Sequence, residues 1–579
     1  MLNCIEVAVG RTYMRRKLIL LLSILSICLV AFTGCTKSEQ SSSEPDQSSG
    51  QEPTGGLTPT VTPIAEVQET VTEIPYNYEQ ELNIISDNYR NYYEIFVYSF
   101  CDSDGNGIGD FNGIISKLDY INTEMGFNGI WLMPIMPSTT YHKYDVLDYY
   151  DVDPQYGTIE DFKRLLEECE KRDIKLIIDF VFNHTSAKHP WFTQAIDYLE
   201  TLEDGEEPDP KVCPYVEYYH FTKESNGSDD YHRAGSSDWY YECVFWDQMP
   251  DLALESEAVR DEIEKAAKFW LDLGVDGFRL DAAKEYFTGE TGKNVEVLTW
   301  FNDYVSGVNP QAYIVGEVWD EFSAITTYYT SGMNSFFNFP LSQYDGLVIN
   351  AVRKLGIGSA SSLAKNLVKM QEAYSLSNPG YIDAPFISNH DTTRISAMCV
   401  NDEQQMKMSA GLLLTMSGNP FVYYGEEIGM NSSGKKDENK RLPMQWSKDG
   451  LGMTRKPTNA DNVEQTFAPV EEQLADPLSI LNYYKRAVRI RNENPEIARG
   501  KVTLIEALTD KNICALQKDY EGSKIVIISN INKEATAVDL KLAGYDKLSI
   551  RGYLTVDGSE VTISDGVVNM PLYSIVILK

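Results

Sequence analysis

Positive charge is scarce in this sequence: 50 Lys and Arg stand against 86 Asp and Glu, a formal net charge of −36. A chain of that sign repels nucleic acid and anionic lipid, so no nucleic-acid partner is expected and a neutral or cationic substrate is favoured. Histidine is scarcer still, six residues in 579. The nine cysteines include no C-x-x-C pair, which argues against a zinc site. No internal repeat is evident, which argues against a solenoid or propeller. What remains is an ordinary globular composition, 43% hydrophobic and 23% charged. At roughly 100–200 residues per domain the length calls for three or more units.

The first 35 residues read as a targeting segment. Arg11, Arg15, Arg16 and Lys17 precede an apolar run, Leu18–Val30, that is short for a membrane-spanning helix. The run ends in Phe32-Thr33-Gly34-Cys35, which resembles a bacterial lipobox whose Cys becomes the lipidated first residue. Met14 is an alternative start, and a plain secretory signal is the competing reading. Residues 36–75 are rich in Ser, Thr, Pro, Gln and Gly and read as a flexible tether. A monomer anchored by lipid to the outer face of the bacterial cell membrane is the expectation. Of the remaining cysteines, Cys213 and Cys243 could pair in an oxidising exterior, and free buried thiols fit equally well.

From residue 93 short apolar runs alternate with helical patterns. The runs Ile95–Phe100, Gly129–Met133, Leu176–Val181, Val275–Leu280, Tyr313–Val318, Phe386–Ser388 and Phe421–Tyr424 read as buried strands, with Asn334–Phe339 weaker. Asp161–Lys171 reads as an amphipathic helix, as does the stretch with Val259, Ile263, Ala266, Ala267, Trp270 and Leu271 on one face. About eight strands in this alternation predict an α/β fold, a (β/α)₈ TIM barrel over 76–184 and 256–500. The long interval 185–255 predicts a small domain inserted after strand three. Residues 501–579 lose the helical pattern and predict a C-terminal β-sandwich.

A barrel carries its active site at the C-terminal ends of its strands. Four predicted strands end in a carboxylate or His: Asp179–His184, Gly277–Asp281, Val315–Glu317 and Ser388–Asp391. Any one of these would by default be a cap or a solvated loop; the set is not. Three of the six histidines, His142, His184 and His390, fall in such loops. Arg279 and Asp281 lie two apart on a strand and share a face. A guanidinium beside a carboxylate favours the ionised form that a nucleophile needs. Glu317, on another strand and near two further carboxylates, is placed to keep its proton as a general acid. Carboxylates with separated protonation states are what glycoside cleavage requires.

The strings D-F-V-F-N-H, G-F-R-L-D-A-A-K, G-E-V-W and F-I-S-N-H-D resemble, in order and spacing, the four signature segments of the α-amylase family of glycoside hydrolases. Gly107–Gly113, Met249–Leu252, Gly418–Glu426 and Arg441–Trp446 match further segments, so the resemblance covers about residues 90–579. It implies Asp281 as nucleophile, Glu317 as acid then base, and Asp391 as the group that binds the distorted sugar. It further implies substrate contacts from Tyr144, Asp145, His184, Arg279, His390, Lys284 and Arg394. The M-P-D-L segment is similar to the subgroup between oligo-1,6-glucosidases and neopullulanases. Three positions depart from the family pattern. Ala253 replaces a usual Asn, Lys143 stands where Gly is common, and Glu285 stands where many α-amylases carry His. The last weakens transfer of the family's interdomain calcium site.

A different Ca²⁺ site is expected. Asp102, Asp104, Asn106 and Asp110 alternate around Gly105 and Gly107, with the carbonyl of Ile108 as a further oxygen, an EF-hand-like set of hard ligands. An Asp/Gly turn without an ion is the alternative. The expected activity is hydrolysis of α-1,4-glucosidic bonds in starch and maltodextrin. Oligo-1,6-glucosidase or neopullulanase activity, glucanotransfer, and a non-catalytic glucan-binding lipoprotein are the alternatives.

Overall fold

The computed structural model describes residues 78–579 apart from 226 and 357. The expected signal segment and tether lie outside the described residues. Among the described residues, no helix is long and apolar enough to cross a membrane.

In chain order the strands are β1 (Tyr92–Ile95), β2 (Gly129–Leu132), β3 (Lys175–Phe180), β4 (Phe221–Thr222), β5 (Tyr231–Arg233), β6 (Tyr240–Glu242), β7 (Gly277–Leu280), β8 (Tyr313–Gly316), β9 (Ser335–Phe336) and β10 (Phe421–Tyr423). There follow β11 (Lys501–Leu504), β12 (Ile513–Tyr520), β13 (Ser523–Asn530), β14 (Thr536–Asp539), β15 (Ile550–Thr555), β16 (Thr562–Ser564), β17 (Val567–Met570) and β18 (Ser574–Leu578). Seven of them form one sheet in the order β10-β1-β2-β3-β7-β8-β9, with every pairing parallel. Single parallel bridges, Phe337 with Ala384 and Phe386 with Phe421, carry the curl across the remaining gap. This is a TIM barrel whose seventh position is a bridge rather than a ladder. Pro385 sits there and lacks the N–H a ladder needs.

Parallel strands covered on both faces are continuously apolar, and β1, β2, β7 and β8 are buried at every residue. The same property misplaced strand one, which was expected at Ile95–Phe100. It ends at Ile95, and Val97–Phe100 is a short helical turn, because an unbroken apolar run carries no period. The helix Glu257–Leu273 buries the six residues its periodicity picked out, and Gly274, at φ 107°, ends it in the left-handed region. Thr158 and Asp161 form a capping box at the start of the helix Ile159–Glu170.

Between β3 and β7 lies a small antiparallel sheet, β4-β6-β5, tied back to the barrel by bridges from His184 to Asp251 and from Tyr219 to Leu252. The C-terminal sheets, β11-β12-β13-β18-β15 and β14-β17-β16, share one core. Val526, Ile528 and Val576 of the first meet Val538, Val568 and Met570 of the second there. The six described cysteines are buried free thiols, Cys213 and Cys243 included.

Candidate active site

The barrel mouth is organised around Arg279, whose side chain is fully buried at the end of β7. Its Nη1 donates to Asp281 Oδ1 at 2.7 Å and to both oxygens of Asp179 at 2.8 Å. Its Nη2 lies 2.8 Å from Glu317 Oε2. Asp179 comes from β3, Asp281 follows β7 and Glu317 follows β8, so three neighbouring strands deliver three carboxylates to one cation. The Ala282 N–H donates to Glu317 Oε2 at 3.1 Å.

On the opposite wall, His390 joins Glu94 Oε1 through Nδ1 at 2.6 Å and Asp391 Oδ2 through Nε2 at 3.1 Å. Arg441 Nη2 donates to Asp391 Oδ1 at 2.5 Å. Burial works against the charged imidazole, but Asp391 and Glu94 outweigh it and raise the His390 pKa to about 9. Burial alone would raise Asp391. The His390 and Arg441 cations dominate and hold it well below the ordinary carboxylate range. Glu317 goes the other way. Burial raises it, Arg279 opposes, and the negative charges of Asp281 and Asp391 push it further up. One pocket thus holds a carboxylate kept ionised and a carboxyl inclined to keep its proton.

The cleft has a volume of about 510 Å³ and is lined by Asp281, Glu317, Asp391, His142, Tyr144 and His184, among others. The Tyr144 ring stacks at 16° on His390, and its hydroxyl lies 2.7 Å from His390 Nε2. Burial lowers the pKa of His184, and its Nε2 has no partner among the described residues, so a polar atom is left for a bound molecule. Lys284 lines the rim, its ammonium donating to the Trp319 carbonyl at 3.0 Å.

Two expected substrate contacts do not reach the cleft. Asp145 is fully buried and accepts from the hydroxyls of Ser138, Thr139, Thr140 and Ser186; it orders the loop that carries His142 and Tyr144. Arg394 is fully buried beside Tyr423 and donates to the carbonyls of Tyr424 and Lys440. Its Nε and Nη1 are taken by backbone oxygens, and Arg441 supplies the cation at the cleft instead. Arg441 was visible in R-L-P-M-Q-W without a role. Trp319, Phe245 and Met249 also line the cleft. Trp319 stood in G-E-V-W and Met249 in M-P-D-L, while Glu94 could have been found as the lone acid in an apolar strand. Lys143 explains its own departure. Its φ of 68° is a backbone that suits Gly, and a buried ion pair to Asp153 at 2.8 Å holds it there.

The acidic loop is formed. Carboxylate oxygens of Asp102, Asp104 and Asp110 lie within 4.8 Å of one another. Asp102 accepts from the N–H groups of Gly105 and Gly107, and Asn106 accepts from that of Ile108. Gly105 and Gly107 have φ of 82° and 89°, which lets the turn wind tightly. A set of hard oxygens on such a loop fits calcium by its chemistry.

A barrel whose mouth gathers three carboxylates on shared cations, Asp391 held ionised and Glu317 inclined to keep its proton, with histidines around them, defines a carbohydrate-cleaving enzyme. The family described as "Alpha amylase, catalytic domain" matches residues 94–500. The chain is 37% identical over 449 residues to Alpha-amylase 3 of Dictyoglomus thermophilum, covering 77% of this chain and 85% of that protein. It is 30% identical over 520 residues to a probable oligo-1,6-glucosidase 2 of Bacillus subtilis, covering 76% and 90%. The solved structure of Eubacterium rectale Amy13B superposes with a TM-score of 0.85 at 44% identity, covering 88% of this chain and 99% of that one. The protein belongs to the α-amylase family of glycoside hydrolases and is an enzyme of that family.

Proposed function

We propose that this enzyme hydrolyses α-1,4-glucosidic bonds in starch, maltodextrins and malto-oligosaccharides with retention of configuration. The observation that carries the reading is the shared guanidinium. Arg279 bonds Asp281 at 2.7 Å and Glu317 at 2.8 Å, which keeps the two carboxyls close together. Retaining enzymes hold their carboxyls about 5–5.5 Å apart, and inverting ones leave room for a water at about 6.5–9.5 Å. Asp281 attacks the anomeric carbon while Glu317 gives its proton to the departing glycosidic oxygen. The glycosyl ester on Asp281 is then cleaved by a water that Glu317 deprotonates. Asp391, held ionised, accepts from sugar hydroxyls, and His184 Nε2 bonds the same ring.

Asp102, Asp104, Asn106 and Asp110, with the Ile108 carbonyl, would hold calcium, which would stabilise the fold at that loop. The Cys35 motif supports a protein held by lipid at the outer face of the membrane, within reach of a polymeric substrate. Conversion of Cys35 to Ala should release the protein from membranes.

The relatives include oligo-1,6-glucosidases, so linkage is the point to test. The kcat/KM on maltotriose should exceed that on isomaltotriose, and NMR of the first product should show the α-anomer. Preference for isomaltotriose would replace the α-1,4 reading with the α-1,6 one, and an early β-anomer would remove the covalent intermediate.

A further inference from the structure

The catalytic cleft is not the roomiest cavity. A groove of about 620 Å³ lies at the other end of the barrel. It is lined by Tyr89, which precedes β1, and Tyr381, which precedes the bridge at Ala384, so it opens at the N-terminal ends of the strands. The cleft opens at the C-terminal ends, so a chain bound in the groove is out of reach of Asp281 and Glu317. Glu372 comes from the helix Ala360–Ser377, and Lys501 begins β11 of the C-terminal domain.

The lining has the chemistry of a neutral polyol site. The hydroxyls of Tyr89 and Tyr381, the Glu372 carboxylate and the Lys501 ammonium line it, and where Tyr89 and Glu372 make local bonds they do so through the backbone, not through these groups. Two acids, Glu372 and Asp383, stand against two bases, Arg499 and Lys501, in the lining, so the groove carries no surplus of one sign. The two tyrosine rings are its aromatic surface. Arg499 stacks 4.8 Å from Tyr89 and is pinned to Asp87 by two bonds of 2.7 Å, so that wall is rigid before any ligand arrives. A charged ligand would need a surplus of one sign, and a lipid surface would meet a chain of net charge −36.

We propose that this groove is a second, non-catalytic binding site for an α-glucan chain, the same polymer the cleft cleaves; the assignment rests on the substrate reading above. A polymer gripped at both ends of the barrel stays near the cleft between cuts. The gain is one of effective concentration, available to long chains and not to short ones.

The test uses the full chain carrying Asp281→Asn, so that ligand survives, and titrates it with maltoheptaose by calorimetry. Two sugars per chain are expected. With Glu372→Ala and Lys501→Ala added, one should remain. Both positions lie at or near the surface, so folding should survive; a Tyr381→Phe variant serves as a second, milder probe. In the otherwise native enzyme the groove changes should leave kcat/KM on maltotriose within about twofold and cut the rate on granular starch by about threefold or more, because only the long chain reaches both sites. One sugar per chain with and without the groove changes overturns the proposal while leaving the cleft reading intact. No binding of maltoheptaose at either place, with no cleavage, overturns both. Retention of a short peptide but not of maltoheptaose by the groove would assign it to a protein partner and overturn the glucan assignment.

Discussion

Asp281 and Glu317 stand buried and Asp391 half-buried in the barrel mouth against Arg279, Arg441 and His390, whereas Asp102, Asp104 and Asp110 stand in a turn that runs from exposed to buried, against hydroxyl, amide and backbone N–H groups. In the mouth, burial makes every charge costly, and the fixed cations decide which carboxylate keeps its charge. Asp391 is pulled down and Glu317 pushed up although they share one cleft. In the turn no cation stands among the described partners of the carboxylates; hydroxyl and N–H donors hold them, and three negative groups sit within 4.8 Å. The first arrangement makes chemistry out of differences between identical groups. The second sets like groups side by side, which is what a calcium ion would need.

The largest expected effect breaks the first arrangement. Asp281→Asn should lose about three or more orders of magnitude in kcat, because the covalent path is gone while the neighbouring groups stay. A loss under about tenfold, with circular dichroism unchanged, would move the nucleophile elsewhere.

Next comes the turn. Calcium at about a hundredfold over its Kd should add roughly 2.7 kcal/mol of stability, seen as a fall in Tm on chelation and recovery on readdition. Asp104→Ala should melt at one temperature with or without chelator and keep its turnover of maltotriose. If that variant still responds in full, the ion sits at another place.

A smaller effect is expected at Ala282, which lines the cleft directly because the chain leaves β7 at Leu280 and strand alternation stops there. Its φ of 47° is a backbone a β-branched residue resists. Ala282→Val should lower the preference for maltotriose over isomaltotriose by about 10-fold, within the roughly 1–3 kcal/mol that a pair of methyl groups can control. An unchanged ratio would assign linkage choice to the inserted residues 185–255, Phe245 among them.

The smallest effect sharpens the comparison through pH. Glu317 must be protonated to act, so its raised pKa carries activity above the pH at which an exposed Glu ionises. Asp391→Asn removes one of the negative charges that raise it, which makes ionisation easier. The basic limb of kcat/KM should therefore move to lower pH in the residual activity of that variant. A limb that stays put would mean that Asp391 does not help to hold the Glu317 proton.

Periodicity and strand-end chemistry were readable from the chain itself. The helix Glu257–Leu273 was legible because six apolar residues at helical spacing have one stable face, and the order of strands around the barrel followed from their alternation with helices. Asp281, Glu317 and Asp391 were legible because strand-end polar residues have one place to go in a barrel. Partnership between residues far apart in the chain was not legible. Arg394 and Arg441 read alike as arginines near a motif. Which of them meets Asp391, and which spends its guanidinium on the carbonyls of Tyr424 and Lys440, depends on how the loop after β10 packs. Glu94 lies 296 residues from the His390 it charges. Such pairs exist only once β1, β10 and the loops above them are folded together, because a charge buried in the mouth is stable only beside the partner that folding delivers.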